Sequence, residues 1–273
     1  MRRAAFVLPL LMLCSTATAV VIRHDVEDAQ YRLAPGAVPA LVDLPGEGHG
    51  VLVAPHWVLT AAHAVSWQDC IETVVIGGIE RAVERVVLHP DYRSLPQAVI
   101  DEALRSRSSA PVTALLLTTD DIALLRLAQP VTDVAPLALH GADATVGQRV
   151  RIVGQGATGD GVSGHAPDGP NRTQLREAFN RLSAADGRWL TYVFDAPPHA
   201  ITREGIAGNG DSGGPLLVEA DGEWQVVGLT SWKAADDDPA TFRPGLYGQV
   251  NKAVRIAHYR AWIDTTLAPD AAR

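Results

Sequence analysis

Apolar positions in this chain come in short Val-, Ile- and Leu-rich runs, each closed by Gly, Pro or an Asp-Gly pair. Runs of this length between turn residues read as β-strands. In the first half they fall at 37–44, 50–54, 57–60, 72–77 and 79–89, with a further run opening at Asp121 and ending at Leu127. Residues 128–140, with two prolines, read as the connection between halves. In the second half the runs are 148–153, 189–194, 215–219 and 224–231. Asp186-Gly187 and Asp221-Gly222 are strong hairpin turns in front of two of them. Residues 174–183 stay open between helix and strand, because Leu175, Ala178, Phe179 and Leu182 also fit helical spacing. Two segments carry a clear helical stripe. One is 97–107, with Val99, Ile100, Ala103 and Leu104, inside a long insertion; the other is 255–267, with Ile256, Tyr259, Trp262, Ile263 and Leu267.

The first residues follow another pattern. Arg2-Arg3 precede an apolar run over 4–13, and Ala17-Thr18-Ala19 follows, which reads as a signal peptide over 1–19 cut after Ala19. The apolar run is too short to span a bilayer as a permanent helix. The expected location is secreted or periplasmic, with no membrane association after cleavage and Val20-Val21-Ile22 at the new start.

Composition fits a globular chain, with 47% apolar and 20% charged residues. A net charge of −8 without a long basic run argues against nucleic acid or an anionic membrane as partner. Of the two cysteines, Cys14 would leave with the signal peptide. Cys70 would then be alone, read as a buried small apolar residue, and no intrachain disulfide could form. No metal-ligand spacing or cofactor motif is supported, so neither is expected.

Candidate chemistry concentrates in Gly208-Asn209-Gly210-Asp211-Ser212-Gly213-Gly214-Pro215. Glycines let backbone N–H groups converge beside a hydroxyl, which suits stabilisation of a tetrahedral oxyanion. Gly154-Gln155-Gly156-Ala157-Thr158-Gly159 matches a dinucleotide fingerprint literally. A helix should open inside that motif, yet Gly-, Pro- and Ser-rich loop follows, so the nucleotide reading is set aside.

Three stretches together resemble the trypsin- and chymotrypsin-like serine proteases: Trp57-Val58-Leu59-Thr60-Ala61-Ala62-His63, Asp121-Ile122-Ala123-Leu124, and the Gly-Asp-Ser-Gly-Gly-Pro around Ser212. His, Asp and Ser occur in the chymotrypsin chain order. His89-Pro90-Asp91-Tyr92, Ser231-Trp232 and Pro244-Gly245-Leu246-Tyr247 add supporting matches, while Ala64 replaces a family cysteine. The resemblance implies a secreted, bacterial-type member without disulfides. It implies an all-β fold of two packed antiparallel six-stranded β-barrels, with the active site in the cleft between them and a C-terminal α-helix. Residues 20–135 would form the barrel carrying His63 and Asp121, with a helical insertion about 96–107. Residues 136–254 would form the barrel carrying Ser212, and 255–269 the helix.

By the same resemblance Ser212 is the nucleophile, His63 the base, Asp121 its orienting partner, and the N–H groups of Gly210 and Ser212 the oxyanion hole. Asp211 would pair with the ammonium of Val20 released by signal cleavage. The substrate pocket would involve Glu204, Ile206, Ser231, Trp232, Lys233 and Gly245. Ile206 falls where trypsin has its pocket-floor carboxylate, so a basic side chain is disfavoured and small or medium apolar ones are expected. Lys233 would narrow the pocket or favour an acidic or polar group, and Glu204 is an alternative basic-selecting group. The expected function is a monomeric serine endopeptidase acting on protein or peptide substrates; the alternative is a catalytically silent binding protein of the same fold.

Overall fold

The computed structural model describes residues 20–66, 71–165, 169–234 and 238–271. The signal peptide assigned to 1–19, Cys70, Asp236 and Asp237 lie outside the described residues. The first strands are β1 (Val20–Ile22), β2 (Leu41–Asp43), β3 (His49–Ala54), β4 (Trp57–Thr60), β5 (Thr73–Ile76) and β6 (Ile79–Leu88). Helices α1 (Gln97–Ser106) and α2 (Ala110–Thr118) then precede β7 (Ala123–Leu127). The second half holds β8 (Arg149–Gly154), β9 (Thr158–Asp160), β10 (Gly164–His165), β11 (Arg176–Asp186), β12 (Trp189–Val193) and β13 (Gly205–Ile206). It ends with β14 (Pro215–Ala220), β15 (Glu223–Lys233), β16 (Val250–Arg255) and α3 (Ile256–Ala271).

Six strands close into a barrel in the order β2-β3-β4-β7-β6-β5, and six into a second, β11-β12-β16-β15-β14-β8. Every pairing within the barrels is antiparallel. A separate four-stranded sheet β10-β9-β1-β13 packs Val20, Val21, Ile22 and Ile206 into the core of the second barrel. The expected all-β fold of two six-stranded barrels with a C-terminal helix is therefore the fold observed. The open segment 174–183 is the long strand β11 for most of its length, paired to both β8 and β12.

Strand side chains alternate between two faces, so a strand apolar on both faces has to be covered on both. β4 shows the consequence. Val58 faces the first barrel's interior with Val42, Leu52, Ile76 and Leu125, while Trp57 and Leu59 face outward into a different cluster. That outer cluster joins the barrels: Leu124 from the first meets Val153, Leu217 and Leu229 from the second, closed by Ile256, Tyr259 and Ile263 of α3. The interface is apolar and shared with the terminal helix, so the relative placement of the barrels is fixed by packing.

α1 was expected, α2 was not. Its stretch carries Leu115, Leu116 and Leu117 in succession and so offers no single stripe to read. It is held by Trp189, whose indole Nε1 donates to the Leu117 carbonyl at 3.1 Å, and α1 is held by an Arg107–Asp238 ion pair at 2.8 Å.

Candidate active site

His63 sits in a single 3-10 turn, Ala62–Ala64, directly after β4. Asp121 lies just before β7, and the two strands run together with Thr60 opposite Ala123. That register brings side chains 58 residues apart in sequence to one place. The His63 backbone N–H donates to Asp121 Oδ1 at 2.8 Å, and Nδ1 meets Oδ2 at 2.7 Å. Because a carboxylate can only accept, Nδ1 carries the proton, which leaves the Nε2 lone pair for the other side. There, Ser212 Oγ lies 2.8 Å from Nε2. Ser231 Oγ also donates to Asp121 Oδ2, so this buried carboxylate accepts at both of its oxygens.

The electrostatics follow from these contacts. Burial raises the carboxyl pKa of Asp121, but the His63 charge and the hydrogen bonds outweigh it, leaving the pKa below the usual carboxylate value. Burial likewise opposes the His63 cation, yet Asp121 prevails and the His63 pKa is raised. Asp120, adjacent in sequence, is engaged elsewhere, accepting from Arg188 Nε and from the Tyr259 hydroxyl, each at 2.7 Å.

Ser212 lies in the loop entering β14, and both barrels hold it. The Gly213 N–H donates to the Thr230 carbonyl at 2.8 Å, and the His49 N–H donates to the Ser212 carbonyl at 2.7 Å. This Asp–His–Ser arrangement, together with a matching sequence family, decides the assignment: the Trypsin family model matches residues 30–263. The chain belongs to the trypsin family. Among curated relatives, mouse vitamin K-dependent protein C is 28% identical over 77% of this chain, and the rat protein 30% identical over 67%. The chain spans 45% and 40% of the length of those two proteins. Bovine proproteinase E is 28% identical, over 80% of this chain and 83% of its own length.

In this trypsin-family chain the loop glycines are placed by contact. A side chain at Gly210, where φ is +85°, would put its Cβ 2.3 Å from the Asn171 carbonyl oxygen; at Gly213, where φ is +75°, it would lie 2.1 Å from Thr60 Oγ1. None of the backbone hydrogen bonds among the described residues uses the N–H of Gly210 or of Ser212. Asp211 is fully buried, and its two oxygens accept from the Gly156 and Gly208 N–H groups at 2.7 Å each. Burial raises its pKa.

The dinucleotide-like glycines find their explanation here. A Cβ at Gly154 or Gly156 would come 2.0 or 2.7 Å from Asp211 Oδ1, so these positions are bare to admit that carboxylate.

His49 is a residue that sequence reading missed. Fully enclosed, it donates Nδ1–H to the Gly210 carbonyl at 2.8 Å, and burial lowers its pKa so that the ring stays neutral. A lone histidine at the start of a strand gives no sequence signal for this.

Two cavities flank Ser212. One, of about 490 Å³, is lined by Gly46, Glu47, His63, Ala64 and Ser212. The other, of about 170 Å³, takes its walls from Asn209, Gly210, Thr230, Ser231, Trp232 and Lys233, among others. A register shift between Thr230 and Trp232 in the β15–β16 pairing bends the strand at this wall.

Three residues expected at the pocket lie elsewhere. Ile206 is fully buried in β13, paired with Val21 of β1. Glu204 is buried and accepts from the Asp195 and Ile201 N–H groups at 2.6 Å each. Gly245 packs against Val21, where a Cβ would come within 2.9 Å of Val21 Cγ2. For Glu204 and Ile206 the reason is β13, which carries this segment into the extra sheet against β1.

A metal reading has little to work with. His89, Asp91 and Asp120 offer ligand atoms within 4.8 Å of one another, but Asp120 already faces the Arg188 guanidinium. No described helix is long and apolar enough to cross a membrane.

Proposed function

We propose that the chain is a serine endopeptidase that cleaves peptide bonds through an acyl-enzyme formed on Ser212. The carrying observation is the continuous relay from Asp121 to His63 to Ser212, with contacts of 2.7 and 2.8 Å, opening on two cavities. In the first step Ser212 Oγ attacks the carbonyl carbon while His63 Nε2 takes the hydroxyl proton. Asp121 keeps Nδ1 protonated and stabilises the resulting imidazolium. The oxygen that gains negative charge is received by the N–H groups of Gly210 and Ser212, which no acceptor among the described residues occupies. The tetrahedral intermediate then collapses: His63 returns the proton to the amine, and the C–N bond breaks. Water, deprotonated by His63, attacks the acyl carbon; the bond to Ser212 Oγ breaks, His63 returns the proton to Oγ, and the acid product leaves.

The N-terminal part of the reading concerns Asp211, a buried carboxylate hydrogen-bonded only to backbone N–H groups among the described residues. Val20 opens a fully buried strand whose partner Thr158 lies two residues after Gly156, itself bonded to Asp211. Export with cleavage after Ala19 would create an ammonium at Val20 to pair with Asp211 and steady the Gly210–Ser212 loop. The protein would act in a secreted or periplasmic setting, as a monomer, on protein or peptide substrates. Its specificity would not be that of trypsin, because among the described residues the smaller Ser212 cavity has no carboxylate at its wall other than the exposed Glu47. Cleavage assays on a peptide library with the processed protein, with Ser212→Ala as control, test the reading. Turnover that persists in the Ser212→Ala protein overturns it.

A further inference from the structure

Lys233 ends β15, immediately after the strand's irregular step, and lines the smaller cavity together with Ser212, Gly210 and Trp232. Burial strips water from its ammonium and lowers the pKa to about 8, against the opposing pull of Asp211. Asp211 makes no hydrogen bond to it among the described residues; its carboxylate oxygens accept from the Gly156 and Gly208 N–H groups. Among the described residues no carboxylate is hydrogen-bonded to Lys233. Glu47 is, among the described residues, the one acidic residue on the cavity's lining; it is exposed and accepts from Asn171 Nδ2 at 2.8 Å. Asp238, five residues after Lys233, is paired with Arg107 at 2.8 Å, and Glu204 is turned to the backbone of Asp195 and Ile201.

The cavity therefore presents, among the described residues, a cation without a hydrogen-bonded counter-ion beside the serine. An arginine or lysine side chain entering it would meet like charge. An apolar side chain would cover the ammonium and leave it unpaired, which is unfavourable. A carboxylate would pair with it and restore its charged form. The volume of about 170 Å³ is small beside the range typical of pockets for drug-sized ligands, and suits one side chain. We propose that Lys233 selects an acidic side chain, aspartate or glutamate, in the residue before the scissile bond. The inference rests on the reading of Ser212 as the nucleophile, since that reading makes this cavity the acyl-side pocket.

The test is binding without cleavage. Short product-like peptides ending in Glu, Gln, Leu or Arg are titrated into the processed Ser212→Ala protein by calorimetry at pH 6.5. The Glu peptide is expected to bind about 10- to 100-fold tighter than the Gln peptide, the scale of one charge-assisted hydrogen bond. That advantage should vanish when Lys233→Gln is added, survive Lys233→Arg, and fade as the pH rises past the Lys233 pKa. Equal binding of the Glu and Gln peptides, tightest binding of Leu or Arg, or no binding of any peptide overturns the inference. In parallel, an organophosphorus serine probe is applied to the unmodified protein. If it labels Ser212 while the peptides show no Glu preference, the specificity claim alone fails; if Ser212 is not labelled, the underlying reading fails.

Discussion

His63 has to be neutral to take a proton from Ser212, so the pH at which it loses its own proton sets the acid limb of activity. Burial of the ring works against the cation, but the Asp121 charge and hydrogen bonds win and raise the His63 pKa above 6.5. Below that pKa the ring is protonated and inactive, so kcat/KM should fall on acidification with a midpoint above about 6.5. Asp121→Asn should lower kcat by about 10⁴-fold, because the amide no longer holds Nδ1 as the proton carrier. It should also move the acid limb downward. Pre-steady-state and steady-state pH profiles on one chromogenic peptide measure both effects; an unchanged limb in Asp121→Asn would contradict the assigned coupling. These residues were legible because short, dense motifs surround them. The motif starts at Asp121, and its neighbour Asp120 is committed to Arg188 and Tyr259. His49 was not legible, since its contact with the Gly210 carbonyl joins positions 161 residues apart and leaves no local pattern.

The same contrast appears among the elements. α3 was readable from its apolar stripe, and its residues Ile256, Tyr259 and Ile263 do close the inter-barrel cluster. Tyr259→Phe keeps that packing and removes only the 2.7 Å bond to Asp120. It should destabilise the fold by about 1.5 kcal/mol, the lower end for a hydrogen bond to a charged group, because Arg188 still pairs with Asp120. Urea unfolding midpoints measure this. The pocket residues were read less well, because counting back from Ser212 assumes that the intervening chain runs as in trypsin. In β13 it instead pairs with β1, which places Ile206 in the core of the second barrel. Ile206→Asp would therefore bury an uncompensated charge, and a loss of about 3–5 kcal/mol in stability is expected. A variant as stable as the parent would show that position 206 reaches solvent or a cation. α2 escaped notice because three consecutive leucines give neither a strand alternation nor a helical stripe.

Over the whole molecule, two barrels with separate interiors meet across one apolar layer, and the relay is assembled only where they meet. The first barrel supplies His63 and Asp121; the loop of the second supplies Ser212. The extra sheet links this assembly to the start of the described chain, since β1 lies between β9 and β13. If a free ammonium at Val20 organises the Asp211 loop, a protein carrying one residue before Val20 should be slower. The expected loss is on the order of 10²-fold, comparable to loss of an oxyanion-hole donor, with little change in peptide binding. N-terminal sequencing of the active form and kcat of the extended form check it. Full activity in a form that starts well upstream of Val20 would contradict this view.

The most direct test of the central claim is the mass of the intact processed protein after exposure to an organophosphorus serine probe, with peptide mapping of the adduct. The account predicts one adduct, on Ser212, absent in Ser212→Ala and formed far more slowly in His63→Ala. No adduct on Ser212, or undiminished labelling at Ser212 in His63→Ala, would contradict it.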